Sequence, residues 1–361
     1  MASGQQDVAP QPRFNAVIVG IAAALISLLI LREFAALIGP LFLALNLMIT
    51  GYPVHTWLVR KGTPSWLSAI VVSLTVFAVL LAIVVGLIWS ISEMIGLLPH
   101  YSAQFTALYE QVVDIVLSWG FEPTAISNIF SSLDPTRVLS AATSVLSGAS
   151  GTVGIIGIIV AAIVFMAMDT PGLERRIRLI SVTRSRIAVA MGSFARGVRR
   201  YWLVTTIFGL IVAVLDGIAL AIMGIPLVLV WALFSFLTNY IPNIGFVIGL
   251  IPPAVVALFV HGWQSALLVI VVYSVLNFVV QSIIQPRFTG ESVGVTPTTS
   301  FVSLLLWSAV LGGLGTLLAL PLTLLVKSFV IDADPQARWV NALIAVDPSD
   351  AEAEPGDEPA D

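Results

Sequence analysis

The chain contains no cysteine. That removes disulfides, thiolate catalysis, iron–sulfur ligation and cysteine zinc sites together. Charge is scarce as well. Only 10% of the 361 residues are charged, against roughly 25% in soluble domains. Too few polar side chains remain to coat a surface facing water. No basic surface is interleaved with aromatics, which argues against a nucleic-acid partner. The histidines, His55, His100 and His261, are scattered without metal-ligand spacing, so neither metal nor cofactor is expected. No Walker loop, GxSxG or HExxH occurs. An intramembrane hydrolase needs a nucleophile and a base within reach, and Asp216 alone does not supply both, so an enzyme is not expected.

What the chain has is apolar length. Hydrophobic residues make up 58% of it, and mean hydropathy is +1.03. Membrane spans need about 20 apolar residues. Candidates run over Phe14–Leu31, Phe34–Leu58, Ser65–Ser90, Gly151–Met168, Trp202–Met223 and Ala266–Ile284. Two further regions, Leu227–Val260 and Thr298–Val330, are too long and too interrupted to be plain helices. The N-terminal MASGQQDVAPQPR lacks the basic run and cleavage site of a removable signal, so the first apolar segment reads as a retained helix.

Orientation follows the Lys/Arg bias. Eight of the sixteen basic residues fall between Arg175 and Arg200, which places that segment in the cytoplasm; Arg60 and Lys61 agree. Residues 93–148 hold five acids and one base and belong outside, with both termini inside. There Phe105, Leu108, Val112, Ile115 and Trp119 recur at helical spacing, the mark of a small helical lobe. The Arg-rich segment mixes its charges with Ile177, Ile180, Ile187, Met191 and Phe194. That pattern suits an amphipathic helix on anionic lipid, although topology anchoring also explains the charge. The last fifteen residues hold seven acids and no base, an acidic tail.

The stretch NYIPNIGFVIGLIPP (239–253) breaks its own helix. Pro242 lacks a donor and clashes with the preceding turn. In lipid such a break is tolerated where it lines a cavity. A counterpart follows: Gly224/Gly294, Pro226/Pro297, Gly245/Gly315 and Pro252/Pro321 are offset by 70, 71, 70 and 69 residues. Each broken stretch follows an ordinary span, and the two spans run in opposite directions. The pattern predicts an inverted repeat of a span plus a helix–break–helix hairpin, as secondary transporters use to build a midplane site. The breaks at Asn239–Gly245 and Ala309–Gly315 would then meet.

The expected architecture is therefore all-α and polytopic: about six full spans, two broken-helix hairpins in an inverted repeat, and a small extracytoplasmic lobe. Its parts are an N-terminal tail (1–13), three spans (14–92), the lobe (93–148), the fourth span with the Arg-rich segment (149–200), repeat 1 (201–263), repeat 2 (264–331) and an acidic cytoplasmic tail (332–361).

Asp216 is the one acid well inside a span, about 21 Å along the helix from Trp202 at 1.5 Å per residue. A carboxylate there is a functional candidate, as proton carrier or cation ligand. Asn277, Gln281 and Gln285 are spaced by four and form one polar stripe, either a pathway lining or interhelical glue. Asn239, Asn243, Gly245, Gly313 and Gly315 complete the candidate solute or ion pathway. Pro242, Pro252, Pro286, Pro297 and Pro321 mark the hairpins. The GxxxG at Gly245–Gly249 suits close helix contact, and Asn46 reads as structural.

The runs LTNYIPNIGFVIGLIPPAVVAL (237–258) and IIQPRFTGESVGVTPTTSFVSLLLWSAVLGGLGTLLALPLTLLVK (283–327) resemble the autoinducer-2 exporter family of bacterial membrane transporters. The resemblance extends over nearly the whole chain, including Gly39-Pro40 and the Arg60–Lys61 loop. It implies a multi-pass bacterial inner-membrane protein that exports a small signal or exchanges sodium for protons, through elevator-like movement. A homo-oligomer is implied too, with five as the candidate count. By motif match, Asn239, Pro242, Gly245, Pro252, Pro286, Gly290, Gly294, Pro297, Gly315 and Pro321 hold signature positions. Some members carry an acid a few residues before the position of Pro286, where this chain has Val280 and Gln281. If that acid couples ions in those members, coupling here falls to Asp216 or is absent.

The leading expectation is a secondary transporter that exports a small polar molecule. A sodium/proton antiporter and a non-transporting membrane scaffold are the alternatives. The fold does not carry the substrate with it.

Overall fold

The computed structural model describes residues 14–97, 149–242, 244–285, 295–334 and 337–345, with the single positions 107, 110, 114 and 118. Most of the expected lobe, residues 1–13, residues 346–361, Asn243, Pro286, Gly290 and Gly294 lie outside the described residues.

Among the described residues every regular element is helical. The order is α1 (Phe14–Glu33), α2 (Ala35–Arg60), α3 (Ser65–Leu97), α4 (Ala149–Thr183), α5 (Ser185–Ile222), α6 (Val228–Thr238), α7 (Gly245–His261), α8 (Trp263–Asn277), α9 (Pro297–Leu317), α10 (Ala319–Val326) and α11 (Asn341–Ile344). Wider i→i+5 turns extend α8 through Phe278–Ile284 and α10 through Lys327–Asp332. Five of these helices are long and apolar enough to cross a membrane: α2, α3, α5, α8 with its extension, and α9. A sixth forms if α4 counts as one span; it bends by 75° between Gly154–Thr170 and Arg175–Thr183. Pro171 falls between the two arms, and its missing N–H interrupts the helical ladder.

The long apolar stretches are interrupted as their glycines and prolines predict. α6 ends at Thr238, and the chain turns through Asn239–Ile244 before α7 begins. Hydrogen bonds from Ile241 N–H to the Thr238 carbonyl (2.9 Å) and from Ile244 N–H to the Pro242 carbonyl (2.7 Å) close the turn. Gly245 lies so near the Thr238 carbonyl that a Cβ would overlap it, and a Cβ on Gly249 would sit 2.8 Å from Thr238 Oγ1. The GxxxG thus lets α7 fold back onto α6. α7 then runs unbroken through Pro252 and Pro253 to His261.

The second hairpin starts with Thr296 as N-cap, its Oγ1 accepting from Thr299 N–H at 3.2 Å, and Pro297 in the first turn. Gly312, at φ 64° and ψ −141°, interrupts α9 in the left-handed region that a Cβ disfavours. A Cβ on Gly315 would overlap the Trp307 carbonyl, the same relation that Gly245 has to Thr238. Pro321 lies in the first turn of α10. The chain end then folds back: Thr296 N–H donates to the Ile344 carbonyl at 2.8 Å, and Asn341 Nδ2 to Asp332 Oδ1 at 2.9 Å. Lys327 Nζ reaches both Asp332 oxygens, at 3.1 and 3.2 Å.

One apolar core joins α2, α4, α5, α9 and α10 through Phe42, Ile163, Val198, Trp202, Trp307 and Leu318. Both breaks enter it, the first through Tyr240 and Ile241, the second through Val310, Leu311 and Leu314. A separate cluster ties α5, α6, α7 and α8 together around Leu220, Trp231, Ala257 and Val269. In lipid such packing rests on van der Waals fit and interhelical hydrogen bonds rather than on escape from water. Large aliphatics left exposed along α1, α3, α5 and α8 fit a surface bathed in acyl chains.

Candidate functional site: a polar seam at the first helix break

Three helices, α5, α6 and α8, enclose a column of polar side chains. α5 brings α6 close because it is bare at two turns. A Cβ on Gly217 would meet the Ala232 methyl at 3.1 Å, and one on Gly209 would meet Asn239 Cβ at 3.5 Å. Between those glycines sits Asp216, fully buried. Its Oδ2 accepts a hydrogen bond from Ser235 Oγ at 2.7 Å. One turn beyond Ser235 is Asn239, the C-cap of α6.

α8 supplies the opposing wall. Gln281 Nε2 donates to Asn239 Oδ1 at 3.1 Å and to Asn277 Oδ1 at 3.0 Å, and Asn277 Nδ2 donates to the Tyr273 carbonyl at 2.9 Å. Gln281 lies in the wide-turn segment, where such turns commonly mark functional sites. Below the break the polar line continues: Tyr240 Oη and Thr206 Oγ1 are 2.8 Å apart, and Tyr201 Oη donates to the Tyr240 carbonyl at 3.3 Å.

Three buried atoms along this seam have no hydrogen-bond partner among the described residues: Asp216 Oδ1, Asn239 Nδ2 and Tyr273 Oη. They are an acceptor, a donor and a hydroxyl able to be either. Leaving a buried polar group unpaired costs about 1–3 kcal/mol. A fold that strands three of them on one seam has surfaces ready for a polar guest.

The structure therefore brings Asp216, Asn239, Asn277 and Gln281 together. Gly245 stands at the edge of this seam, packed on Thr238, and Asn243 is outside the described residues. Gly313 and Gly315 belong to the other hairpin; Gly313 is exposed, and Gly315 packs on Trp307. Among the described residues no hydrogen bond links the two sets. Pro242 is in the first break, Pro297 opens α9, and Pro252 and Pro321 lie within helices.

Two residues escaped the sequence reading, Ser235 and Tyr273. A signal for both existed. Tyr273 lies four before Asn277 and extends the same stripe, while Ser235 lies four before Asn239. Asn46 is buried, with Nδ2 on the Phe42 carbonyl at 2.7 Å and Oδ1 accepting from Trp202 Nε1 at 3.5 Å, an interhelical contact. Among the described residues no group of three or more His, Asp or Glu could hold a metal ion.

Residues 15–333 match the model of the AI-2E family transporters. The chain is 28% identical to the Escherichia coli K12 protein "Putative transport protein YhhT" over 323 residues, 88% of this chain and 91% of that one. It is 27% identical to the "AI-2 transport protein TqsA" of the same strain over 298 residues, 82% of this chain and 86% of that one. A Haemophilus influenzae protein described in the same terms as YhhT is 30% identical over 334 residues, covering 91% and 95%.

Proposed function

The chain belongs to the AI-2E transporter family, and from that premise we propose a secondary transporter that exports a small polar molecule by alternating access. Family and relatives point to membrane transport rather than to an enzyme. The solute, AI-2, is taken from the relative named "AI-2 transport protein TqsA". One observation carries the reading: unpartnered Asp216, Asn239 and Tyr273 atoms line a buried seam at a broken helix. A small solute rich in hydroxyl and carbonyl groups matches an acceptor, a donor and a hydroxyl. The two hairpins act as an inverted pair, each pivoting on a glycine pressed against a backbone carbonyl. Both termini are cytoplasmic, the lobe lies outside, and the working unit is a homo-oligomer whose hairpins move as elevator-like bodies.

The absence of cysteine makes the test clean. Asn239→Cys and Gly313→Cys are made separately in the full chain and reacted with a membrane-impermeant thiol reagent from each side. Reactivity of one position from both sides, shifting with a solute gradient, is the expected result. Reactivity from one side only, unchanged by any gradient, removes alternating access and leaves a static scaffold.

A sodium/proton antiporter is the second reading, favoured by one feature: the buried Asp216 carboxylate has an oxygen free for a proton or a cation. Flux that follows pH or sodium in the absence of an organic solute would select it.

A further inference from the structure

The Arg-rich segment has no place in that transport reading, and its geometry is specific. α4 turns by 75° into Arg175–Thr183. A helix that crosses a bilayer and then bends this far runs nearly along the membrane plane. At 3.6 residues per turn, Leu173, Ile177 and Ile180 fall within about 60° of one another. Arg175, Arg178, Leu179 and Val182 fall within about 100° on the opposite side. On that outer face Leu179 is 63% and Val182 84% exposed, and both arginines are exposed. The pattern continues into the start of α5, where Arg184, Arg186, Ile187 and Val189 are exposed. Arg176 is held by Asp169 at 3.2 Å. Arg175, Arg178, Arg184 and Arg186 form no ion pair among the described residues.

A surface that mixes bare aliphatics with free guanidinium groups suits neither bulk solvent. Water disfavours Leu179 and Val182, and hydrocarbon disfavours the arginines. The headgroup boundary of an anionic leaflet accommodates both, since guanidinium forks match phosphate and the aliphatics reach the upper acyl chains. We propose that residues 175–189 form a docking surface for anionic phospholipid, with Leu179 and Val182 seated at the acyl boundary. The four free arginines lie on lipid phosphates. The proposal is independent of what is transported.

The test uses the full chain carrying Val182→Cys, labelled with a polarity-sensitive fluorophore. It is reconstituted into vesicles of phosphatidylcholine alone or of phosphatidylcholine mixed with phosphatidylglycerol. With phosphatidylglycerol the emission shifts to the blue, and quenching by lipid bearing a nitroxide high on the acyl chain rises severalfold. Adding Arg175→Gln, Arg178→Gln and Arg186→Gln abolishes the phosphatidylglycerol-dependent part. The comparison between the two vesicles stands even if that triple variant fails to assemble. A label equally wet in both compositions overturns the proposal. So does one equally shielded in both, which would assign the face to a second copy or to the chain's own acidic end.

Discussion

The two hairpins share a joint and differ in what surrounds it. In the first, Gly245 lies against the Thr238 carbonyl; in the second, Gly315 lies against that of Trp307. Each glycine lets a helix restart on the backbone of the one before it. Around the second joint the polar groups close on themselves. Ser303 Oγ donates to the Ala319 carbonyl at 3.0 Å and is hydrogen-bonded to Thr323 Oγ1, which also accepts from Trp307 Nε1 at 3.1 Å. Around the first, Asp216, Asn239 and Tyr273 each keep an unpartnered atom. The glycine joint is thus common to both hairpins, while the unmade hydrogen bonds described here lie beside the first.

The sharpest way to break this comparison is at the joint itself. Gly245→Ala and Gly315→Ala each push a methyl into a backbone carbonyl, which no rotamer change relieves. Both should lose folded protein, with overpacking costs of about 1–3 kcal/mol or more, read as a drop in unfolding midpoint in detergent. A mild effect at either would mean that the hairpins do not share the joint.

Next comes Asp216→Asn. The amide is nearly isosteric, and its oxygen still accepts from Ser235, so assembly should survive. On the proposed function, efflux of AI-2 from cells should fall at least about tenfold, equivalent to 1.4 kcal/mol. Unchanged efflux with intact protein would remove Asp216 from the pathway.

Asn239→Ala removes one partner of Gln281 but leaves it Asn277. Efflux should fall severalfold, with stability changed by about 1 kcal/mol or less. The smallest effect on efflux is expected from Trp307→Phe, which deletes the indole N–H to Thr323 together with part of a buried ring. It should cost roughly 1–3 kcal/mol of stability and leave efflux alone. If Trp307→Phe impaired efflux as much as Asn239→Ala, the assignment of chemistry to one hairpin would fail.

Much of this architecture was legible because lipid imposes strict rules. Apolar length gave the helices, and clustered Gly and Pro located both breaks, since few other residues tolerate such backbone. The stripe Asn277–Gln281 was visible as a spacing of four. What remained hidden depended on contacts between distant segments. Nothing local to Ser235 says that its hydroxyl meets Asp216, nineteen residues earlier. The continuity of α7 through Pro252 and Pro253 contradicts proline's local preference; tertiary packing against α6 through Gly245 and Gly249 overrides it. The span expected from Trp202 proved to be the far part of the 38-residue α5, because arginine is a good helix former and nothing in the residues before Trp202 breaks the helix.

The return of the chain end onto the second hairpin has a practical consequence. The Thr296–Ile344 hydrogen bond and the Asp332 pairings to Lys327 and Asn341 strap the hairpin's entrance to its exit. Anything fused after Ala345 is in mechanical series with that hairpin. A bulky handle there pulls on that strap, so purification tags belong at the other end of the chain.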